Sequence, residues 1–323
     1  MNYFLIKLQF DTNVHIGPSD TAQSLSVSED HFCADTLFSA LCHTALQGFG
    51  PNALEQLCDW VRTGDLLLSD SMPWQGEECF LPKPILPSES RKELPASIKK
   101  TMKKLAWIPV RQFPAFIESV RGGAPFIPCD REDSFGMQTE VTRAAVRFGR
   151  DTLPYRVGLY QFAENSGLYV IVTMKTTEQE TVLLSLFDML GMGGIGGKTS
   201  SGCGRFHVED TVLLNEFFDD QTEWFYHALS EKKGKNLLLS ASLPHEEELE
   251  TSLEGATFQL IRRGGFVASD TYAQTPMKKK TQFFFRAGSV FPRRFEGDLY
   301  MVGNAGSHPV YRYAKPLFLG VDL

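Results

Sequence analysis

The chain has 323 residues, of which 42% are hydrophobic and 22% are charged, and its formal net charge is −7 at pH 7. Because one hydrophobic core rarely grows to this length, we expect two globular domains. A stretch of about eighteen apolar residues, as a membrane-spanning helix requires, does not occur. The six cysteines show no paired spacing. These features favour a cytoplasmic protein with no membrane association, structural zinc or disulfide framework.

The N-terminal part is predicted to form a strand followed by two helices. Alternating apolar residues predict a strand over 3–10. An apolar stripe with i, i+4 spacing predicts a helix over 35–47, with Asp35 as its N-cap residue, and a second amphipathic helix covers 54–62. Short strands are expected over 66–68 and 80–85.

Residues 136–154 are polar and basic and lack an apolar stripe, which favours a protruding hairpin or loop. A strand over 168–175, a helix over 181–190 and a strand over 204–210 follow. Together with the N-terminal strand and helix, this order indicates an α+β protein whose first domain, residues 1–210, is ferredoxin-like.

A glycine-rich run over 193–206 separates that helix from the last of those strands. Glycine permits positive φ and close backbone approach, and clustered backbone N–H groups bind anions such as phosphate. A Walker A loop would need a glycine where Met192 stands, and it would follow a strand and precede a helix. Because the order is reversed here, the run predicts contact with a polynucleotide rather than an ATPase or GTPase site.

The second domain, residues 211–323, is predicted to be strand-rich and of the same general type. Its acidic stretch at 244–254 reads as a linker or exposed edge. The strands are expected over 236–243, 256–262, 282–290, 299–302 and 310–313. Two basic clusters, over 91–111 and 262–294, stand out in this acidic chain, and each is either a solvated surface or a partner-binding patch.

Several motifs in this order and spacing resemble one known family. They are the segments Asp35–Leu41, Leu105–Val110, Arg262–Val267, Ala287–Phe291 and His308–Tyr313, together with the glycine run. Over nearly the whole chain they are similar to Csm-complex subunit four of type III-A CRISPR-Cas systems, a member of the RAMP superfamily. The resemblance implies two ferredoxin-like, RRM-like domains with a protruding hairpin.

The same resemblance implies a non-catalytic subunit without a cofactor or metal. It would clamp the 5′ handle of the guide RNA (crRNA), dock the large palm-domain subunit and contact backbone subunit three in antiviral defence. Some positions depart from the usual family pattern, namely Thr199, Ala314 and Val141-Thr142. These departures concern individual RNA contacts rather than the family.

Residues of three kinds are expected at the RNA, because single-stranded RNA is held by backbone contacts, stacking and base-edge hydrogen bonds. The glycine run supplies backbone N–H donors, short hydroxyls and two cations, and other segments supply basic and aromatic groups. The full set is His15, Gly17, Arg143, Arg147, Phe148, Gly194, Ile195, Gly196, Gly197, Lys198, Thr199, Ser200, Ser201, Gly202, Arg205, Arg262, Arg263 and Gly264.

Some alternatives stay open at the level of the sequence. His15 either stacks on or hydrogen-bonds a flipped base, or it is a satisfied structural histidine. Arg262, Arg263 and Gly264 would form the opposite wall of the handle channel, and Arg312 is a further candidate. A RAMP endoribonuclease acting on guide precursors and an interaction-only scaffold are the rival functions; the seven histidines show no local pairing with Lys or Tyr that would mark metal-independent RNA cleavage.

Overall fold

A computed structural model describes residues 1–18, 25–86, 100, 102–127, 135–146, 151–216, 220–232, 234–269 and 271–323. The strands are β1 (Asn2–Phe10), β2 (Met72–Gln75), β3 (Glu78–Pro82), β4 (Trp107–Pro109), β5 (Gly136–Ala145), β6 (Leu153–Phe162), β7 (Ser166–Met174), β8 (Phe206–Leu213), β9 (Lys235–Leu238), β10 (Leu260–Arg263), β11 (Gln282–Phe285), β12 (Val290–Phe291), β13 (Leu299–Gly303), β14 (Val310–Tyr313) and β15 (Phe318–Val321). The helices are α1 (Ala34–Phe49), α2 (Pro51–Arg62), α3 (Phe113–Val120), α4 (Thr177–Gly193), α5 (Asp220–Ser230) and α6 (Leu249–Leu253).

A six-stranded antiparallel sheet with the order β4-β3-β2-β7-β1-β8 dominates the fold. Helix α1 follows β1, and helix α4 connects β7 to β8. Strands β2, β7, β1 and β8 with these two helices therefore have the β-α-β-β-α-β connection predicted for the first domain. The predicted boundary at residue 210 falls within β8, and the division into two domains stays a prediction.

Both faces of this sheet are covered. On one face, Ile6 and Leu8 of β1 pack with Leu37 of α1 and Phe187 of α4 in a single hydrophobic cluster. On the other face, Leu5, Tyr169 and Ile171 pack with residues of the C-terminal half, including Leu237, Leu319 and Phe225. All nine residues of β7 are consequently buried, as expected for a strand with a core on each side.

Helix α4 delivers the chain to the glycine-rich run. The Thr176 hydroxyl accepts a hydrogen bond from the Gln179 amide at 3.2 Å, and the Gln179 side chain accepts one from the Thr176 amide at 3.3 Å. This capping box satisfies the first N–H groups of the helix. The helix ends at Gly193, and β8 begins at Phe206. The predicted order of helix, glycine-rich run and strand is confirmed.

The predicted hairpin is also present. Strands β5 and β6 pair over their full length, from Gly136 opposite Phe162 to Ala145 opposite Leu153. Its base joins the rest of the chain through a bridge between Val14 and Tyr160. The predicted contacts Arg147 and Phe148 lie outside the described residues.

Several local predictions were wrong or incomplete. The acidic stretch, predicted as a linker or exposed edge, is mostly exposed, but it forms a 3₁₀ turn over Glu246–Glu248 followed by α6. This turn is stabilised because the Glu248 carboxylate accepts hydrogen bonds from the amides of His245 and Glu296, at 3.0 and 2.9 Å. Residues 66–68 contribute only a bridge between Leu68 and Val172 rather than a strand. Helices α3 and α5 were missed.

The strands of the C-terminal half lie in three small antiparallel sheets within the described residues: β12-β9-β15, β10-β11 and β13-β14. The predicted strand over 282–290 is interrupted, because the chain turns at Gly288 between β11 and β12. A second ferredoxin-like sheet therefore stays a prediction. In the part of the chain described, no helix is long and apolar enough to cross a membrane.

Candidate functional site

A groove of about 350 Å³ brings together predicted site residues that are up to about 250 positions apart. His15 and Gly17 follow β1, and Gly196 and Gly197 belong to the glycine-rich run. Arg263 is the last residue of β10 and Gly264 follows it, and all six residues line the groove. Asp35 and Thr36 of α1, with Lys279 and Arg312, complete the walls. The groove therefore lies between the first turn of α1, the glycine-rich run and the C-terminal half.

The glycine-rich run passes so close to residue 15 that side chains are excluded at two positions. A Cβ atom on Gly196, where φ is +94°, would lie 2.6 Å from the His15 carbonyl oxygen. On Gly197 it would lie 2.7 Å from the His15 ring. Two backbones and an imidazole thus meet without intervening side chains, which is the role that glycine was predicted to play.

Some of the predicted backbone donors are not available. The amide of Gly197 donates to the His15 carbonyl at 2.7 Å, and those of Ser201 and Gly202 donate to the carbonyls of Lys198 and Thr199 at 2.9 and 2.8 Å. Ile195 was also expected at the RNA, but its side chain is buried in the core, with 1% exposed, and its amide donates to the Gly204 carbonyl.

The remaining amides of the loop form the usable donor set. The N–H groups of Gly196, Lys198, Thr199 and Ser200 have no acceptor among the described residues. Lys198 itself adopts a left-handed conformation, with φ +62°. Successive amides around a left-handed residue form a concave surface that suits an anion. The donor set is thus four amides at the tip rather than the whole run.

His15 is held structurally on one side of its ring. It is 6% exposed, and its Nδ1 lies 2.7 Å from the Gly158 carbonyl oxygen. A carbonyl can only accept, so Nδ1 carries the proton and Nε2 of the neutral ring is left as an acceptor. Nδ1 of His15 therefore has a structural role, as one of the two alternatives for this residue predicted. The residue nevertheless lines the groove, with Nε2 left as an acceptor.

A buried cluster of one carboxylate and two guanidinium groups lies at the floor of the groove. Arg263 makes a bidentate ion pair with Asp35, with Nε–Oδ2 at 3.0 Å and Nη2–Oδ1 at 2.5 Å. Arg312 approaches the same carboxylate at 3.7 Å. Burial lowers the pKa of Arg263, but the charge and hydrogen bond of Asp35, together with smaller contributions from neighbouring groups, outweigh burial and raise the pKa. Arg263 is therefore a charged guanidinium that is paired with the Asp35 side chain.

This cluster corrects one prediction. Asp35 is not the N-cap residue of α1; Cys33 occupies that position, and the Asp70 carboxylate instead accepts the Ala34 amide at 2.8 Å. Arg312 lies in β14, as expected, and its guanidinium donates to the carbonyls of Arg263 and Gly264 at 2.9 and 3.1 Å. Arg312 thereby shapes the wall of the groove from below.

The hairpin closes the other side of the glycine-rich run. The ammonium of Lys198 lies 5.1 Å from the centre of the Tyr155 ring, a cation–π contact. Arg143, directly opposite Tyr155 in the hairpin, directs Nη2 to the Cys203 sulfur at 3.8 Å. Arg205 is exposed at the end of the run. The predicted cations Arg143, Lys198 and Arg205 therefore belong to the loop and the hairpin beside it.

Arg262 does not line the groove formed by His15 and the glycine-rich run. It lines a second cavity of about 730 Å³, which Arg263 also lines, together with Lys83, Arg286 and Trp107. Arg263 therefore borders both cavities, and the prediction that Arg262 and Arg263 form one wall of an RNA channel stays a prediction.

Comparison with known proteins assigns the chain to a family. Over 325 aligned residues it is 34% identical to the CRISPR system protein Csm4 of Mycobacterium tuberculosis, covering 99% of this chain and 98% of the relative. The chain belongs to the Csm4 family. A family model described as the CRISPR Csm4 C-terminal domain matches residues 231–321. Csm4 of Streptococcus thermophilus is 28% identical over the full length of both chains.

Solved Csm4 structures have the same fold. The chain matches a Csm3–Csm4 subcomplex of the type III-A CRISPR-Cas interference complex with a TM-score of 0.64 at 16% identity, covering 99% of both chains. It matches a Csm1–Csm4 cassette in complex with cA4 with a TM-score of 0.60 at 19% identity, covering 100% of this chain and 99% of the other. The resemblance inferred from the motifs is confirmed.

Proposed function

We propose that this Csm4-family chain is a non-catalytic RNA-binding subunit of a type III-A CRISPR effector complex in antiviral defence, and that it clamps the 5′ handle of the guide RNA. The observation that carries the proposal is the convergence of His15, Gly196, Gly197 and Arg263 on one groove. A constant handle can be recognised base by base, whereas a variable guide is held through phosphate and sugar. Recognition of single-stranded RNA requires backbone donors, cations and stacking surfaces together.

Two regions of the site would contact the RNA in different ways: the tip of the loop and the wall of the groove. At the tip, the amides of Lys198, Thr199 and Ser200 with the Lys198 ammonium suit a phosphate. The groove wall offers the His15 ring edge and the Arg263 guanidinium, 15% exposed and fixed by Asp35. A fixed guanidinium presents its plane or remaining N–H to a base with little loss of side-chain entropy. The hairpin with Arg143 would then separate the handle from the guide.

We further propose that the chain docks the large palm-domain subunit and backbone subunit three. The solved relatives described as Csm1–Csm4 and Csm3–Csm4 complexes support this, because the chain matches their Csm4 subunits over nearly their whole length. The antiparallel sheet β12-β9-β15, which packs on the central sheet, supports a second ferredoxin-like unit in the C-terminal half.

The groove chemistry supports a binding role rather than RNA cleavage. A general base needs an unengaged lone pair near the attacking hydroxyl. The Asp35 carboxylate is occupied by Arg263 and Arg312, and the free Nε2 of His15 belongs to a side chain that is only 6% exposed, which restricts its access to an RNA hydroxyl. We therefore expect no RNA cleavage by the purified chain. Strong RNA cleavage by the wild type that is lost in Asp35→Ala or His15→Ala would contradict the binding role and favour the endoribonuclease function.

The test compares two charge-matched double variants in the assembled complex. Lys198→Ala with Arg205→Ala removes two cations of the loop, and Lys175→Ala with Arg293→Ala removes two exposed cations elsewhere. The loop variant should lose guide RNA while retaining both protein partners. Each phosphate contact to a single strand contributes a slope of about −0.7 in log K against log salt, so its salt dependence should flatten by about 1.4.

The control variant should retain its RNA. Equal loss of RNA in both double variants would indicate unspecific attraction and refute the assignment to the loop. Unchanged RNA content together with lost docking of the large subunit would favour the scaffold function.

A further inference from the structure

The second cavity, of about 730 Å³, lies beside the RNA groove, and we call it the basic cavity. Its walls come from the loop before α1, from the end of β3 and the start of β4, and from β10 with the turn after β11. Three residues line both the groove and the basic cavity, namely Glu29, Cys33 and Arg263. An RNA strand in the groove can therefore continue directly into the basic cavity.

The two basic clusters that stand out in this acidic sequence, over 91–111 and 262–294, meet at the basic cavity. Its five cations are Lys103, Arg262 and Arg286, which are exposed, and Lys83 and Arg263, which are partly buried. Residues 91–99 of the first cluster lie outside the described part of the chain. Cations from distant segments that converge on one concavity raise its positive potential, which indicates an anion-binding site rather than a merely solvated surface.

The carboxylates that line the basic cavity do not balance these cations. Asp70 is 3% exposed and accepts hydrogen bonds from two backbone amides, both at 2.8 Å. Asp30 lies 2.7 Å from Nδ1 of His31. Glu29 is exposed at the boundary with the groove. The accessible charge is therefore positive, which favours a ligand that carries phosphate groups.

Trp107 gives the basic cavity an aromatic surface on a rigid support. It begins β4, opposite Pro82 in the central sheet, and its ring centre lies 5.4 Å from that of His31 with the two planes at 86°. The amide of Ile85 donates to the Gly288 carbonyl at 2.8 Å, which joins this wall to the C-terminal half. The wall is thus held from both sides before any ligand binds.

A second aromatic side chain lies next to the cavity. Phe283 is directly opposite Arg262 in the β10–β11 pair, so the two side chains lie on the same face of the pair. The Phe283 side chain is 57% exposed. An exposed ring beside a cation offers a stacking surface for a base and a charge for its phosphate, which are the two contacts that single-stranded nucleic acid requires.

We propose that the basic cavity is a second RNA-binding site, which holds the nucleotides adjacent to those bound in the groove. Arg262, Arg286 and Lys103 bind phosphate oxygens, and Trp107 or Phe283 stacks on an unpaired base. The cavity volume lies within the range of about 300–1,000 Å³ that ligand sites occupy. This inference rests on the proposed function, because one RNA strand runs through both sites. RNA is favoured over an acidic protein segment because rings beside cations match the bases and phosphates of nucleotides.

Site-specific crosslinking in the assembled complex tests the proposal. The guide RNA carries one 4-thiouridine at a time, and tryptic peptides that hold a crosslinked nucleotide are identified by mass spectrometry. Trypsin releases peptide 105–111, which contains Trp107, and peptide 199–205 of the glycine-rich run. We expect crosslinks to 105–111 from a short block of consecutive RNA positions, and crosslinks to 199–205 from a different block of the same strand.

Two double variants with equal loss of charge assign the crosslink to the cavity. Arg262→Ala with Arg286→Ala removes two exposed cations, so crosslinking at the cavity should be lost while crosslinking at the glycine-rich run persists. The loss of two phosphate contacts should also flatten the slope of log K against log salt by about 1.4. Arg121→Ala with Arg293→Ala is the control and should keep both crosslinks, since both arginines are exposed and neither lines the basic cavity or the groove.

The outcomes separate the second site from the proposed function. Crosslinks to 199–205 without any to 105–111 in the wild type would overturn the second site and leave the handle clamp intact. No crosslink at either peptide would contradict both. Unchanged crosslinks in the cavity variant would overturn the assignment to these arginines, and loss of a protein partner at the same time would assign the cavity to an acidic segment of that partner.

Discussion

Replacing Asp35 with Ala should destabilise the chain strongly, because it leaves two buried guanidinium groups without their carboxylate. Arg263 is 15% exposed and Arg312 3% exposed, so water cannot replace the lost charge. Breaking a buried ion pair from one side costs about 3–5 kcal/mol in free energy of unfolding. At roughly 2 °C per kcal/mol for a chain of this size, the melting temperature should fall by about 6–10 °C.

The assay is thermal and chemical unfolding of the isolated chain, with a double-mutant cycle. Arg263→Ala combined with Asp35→Ala should cost less than the two single changes together, since each single change strands the other partner. Asp59→Ala is the control: Asp59 pairs with Arg62 at 2.7 Å, but the two side chains are 59% and 41% exposed. An exposed pair of this kind contributes at most about 1 kcal/mol.

Two results would refute this reasoning. If Asp35→Ala has the same melting temperature as the wild type, the carboxylate is not needed to stabilise the floor of the groove. If Asp35→Ala keeps its stability but loses an RNA-cleaving activity present in the wild type, Asp35 is catalytic rather than structural.

Two further changes test the glycine-rich run and the start of α1. Gly204→Ala should lower the free energy of unfolding by about 3 kcal/mol or more, since a Cβ at φ +76° would lie 2.0 Å from the Ile195 carbonyl oxygen. In the control Gly265→Ala, the new Cβ meets no atom within 4 Å, so the positive φ alone should cost about 1–2 kcal/mol. Equal melting temperatures of the two variants would contradict this. Burial raises the pKa of Asp70 from 3.8 to about 6. The contribution of Asp70 to the free energy of unfolding is therefore complete below its pKa in the unfolded chain, and it is lost as the pH rises through about 6. The free energy of unfolding of Asp70→Asn, measured with urea, should therefore rise relative to that of the wild type by up to about 3 kcal/mol as the pH goes from about 4 to 7. A difference between the two proteins that does not change with pH would contradict the shifted pKa.

The features near the glycine-rich run were predictable because local sequence determines them. Thr176 and Gln179 form the capping box of α4, and the glycines after residue 192 end the helix where positive φ is needed. Contacts between distant segments were not predictable in this way. Asp35 stands before an apolar helical stripe, as an N-cap residue does, but its partner Arg263 is 228 positions away. Tertiary pairing overrode the local preference.

One error had a signal in the sequence. Ile195 is the one aliphatic residue within the run from Gly193 to Gly204, and a lone apolar residue in a polar loop usually anchors it to the core. The amides used within the loop, such as that of Gly197, could not be read from sequence.

Ultraviolet crosslinking of the tagged chain in its native cell, followed by sequencing of the attached RNA and mapping of the crosslinked peptides, tests the central proposal most directly. We predict short RNAs that share one 5′ segment and differ in their 3′ sequence, crosslinked to the loop around Lys198 and to the segment around His15. Random RNA fragments, or crosslinks confined to residues outside the groove while protein partners co-purify, would contradict it.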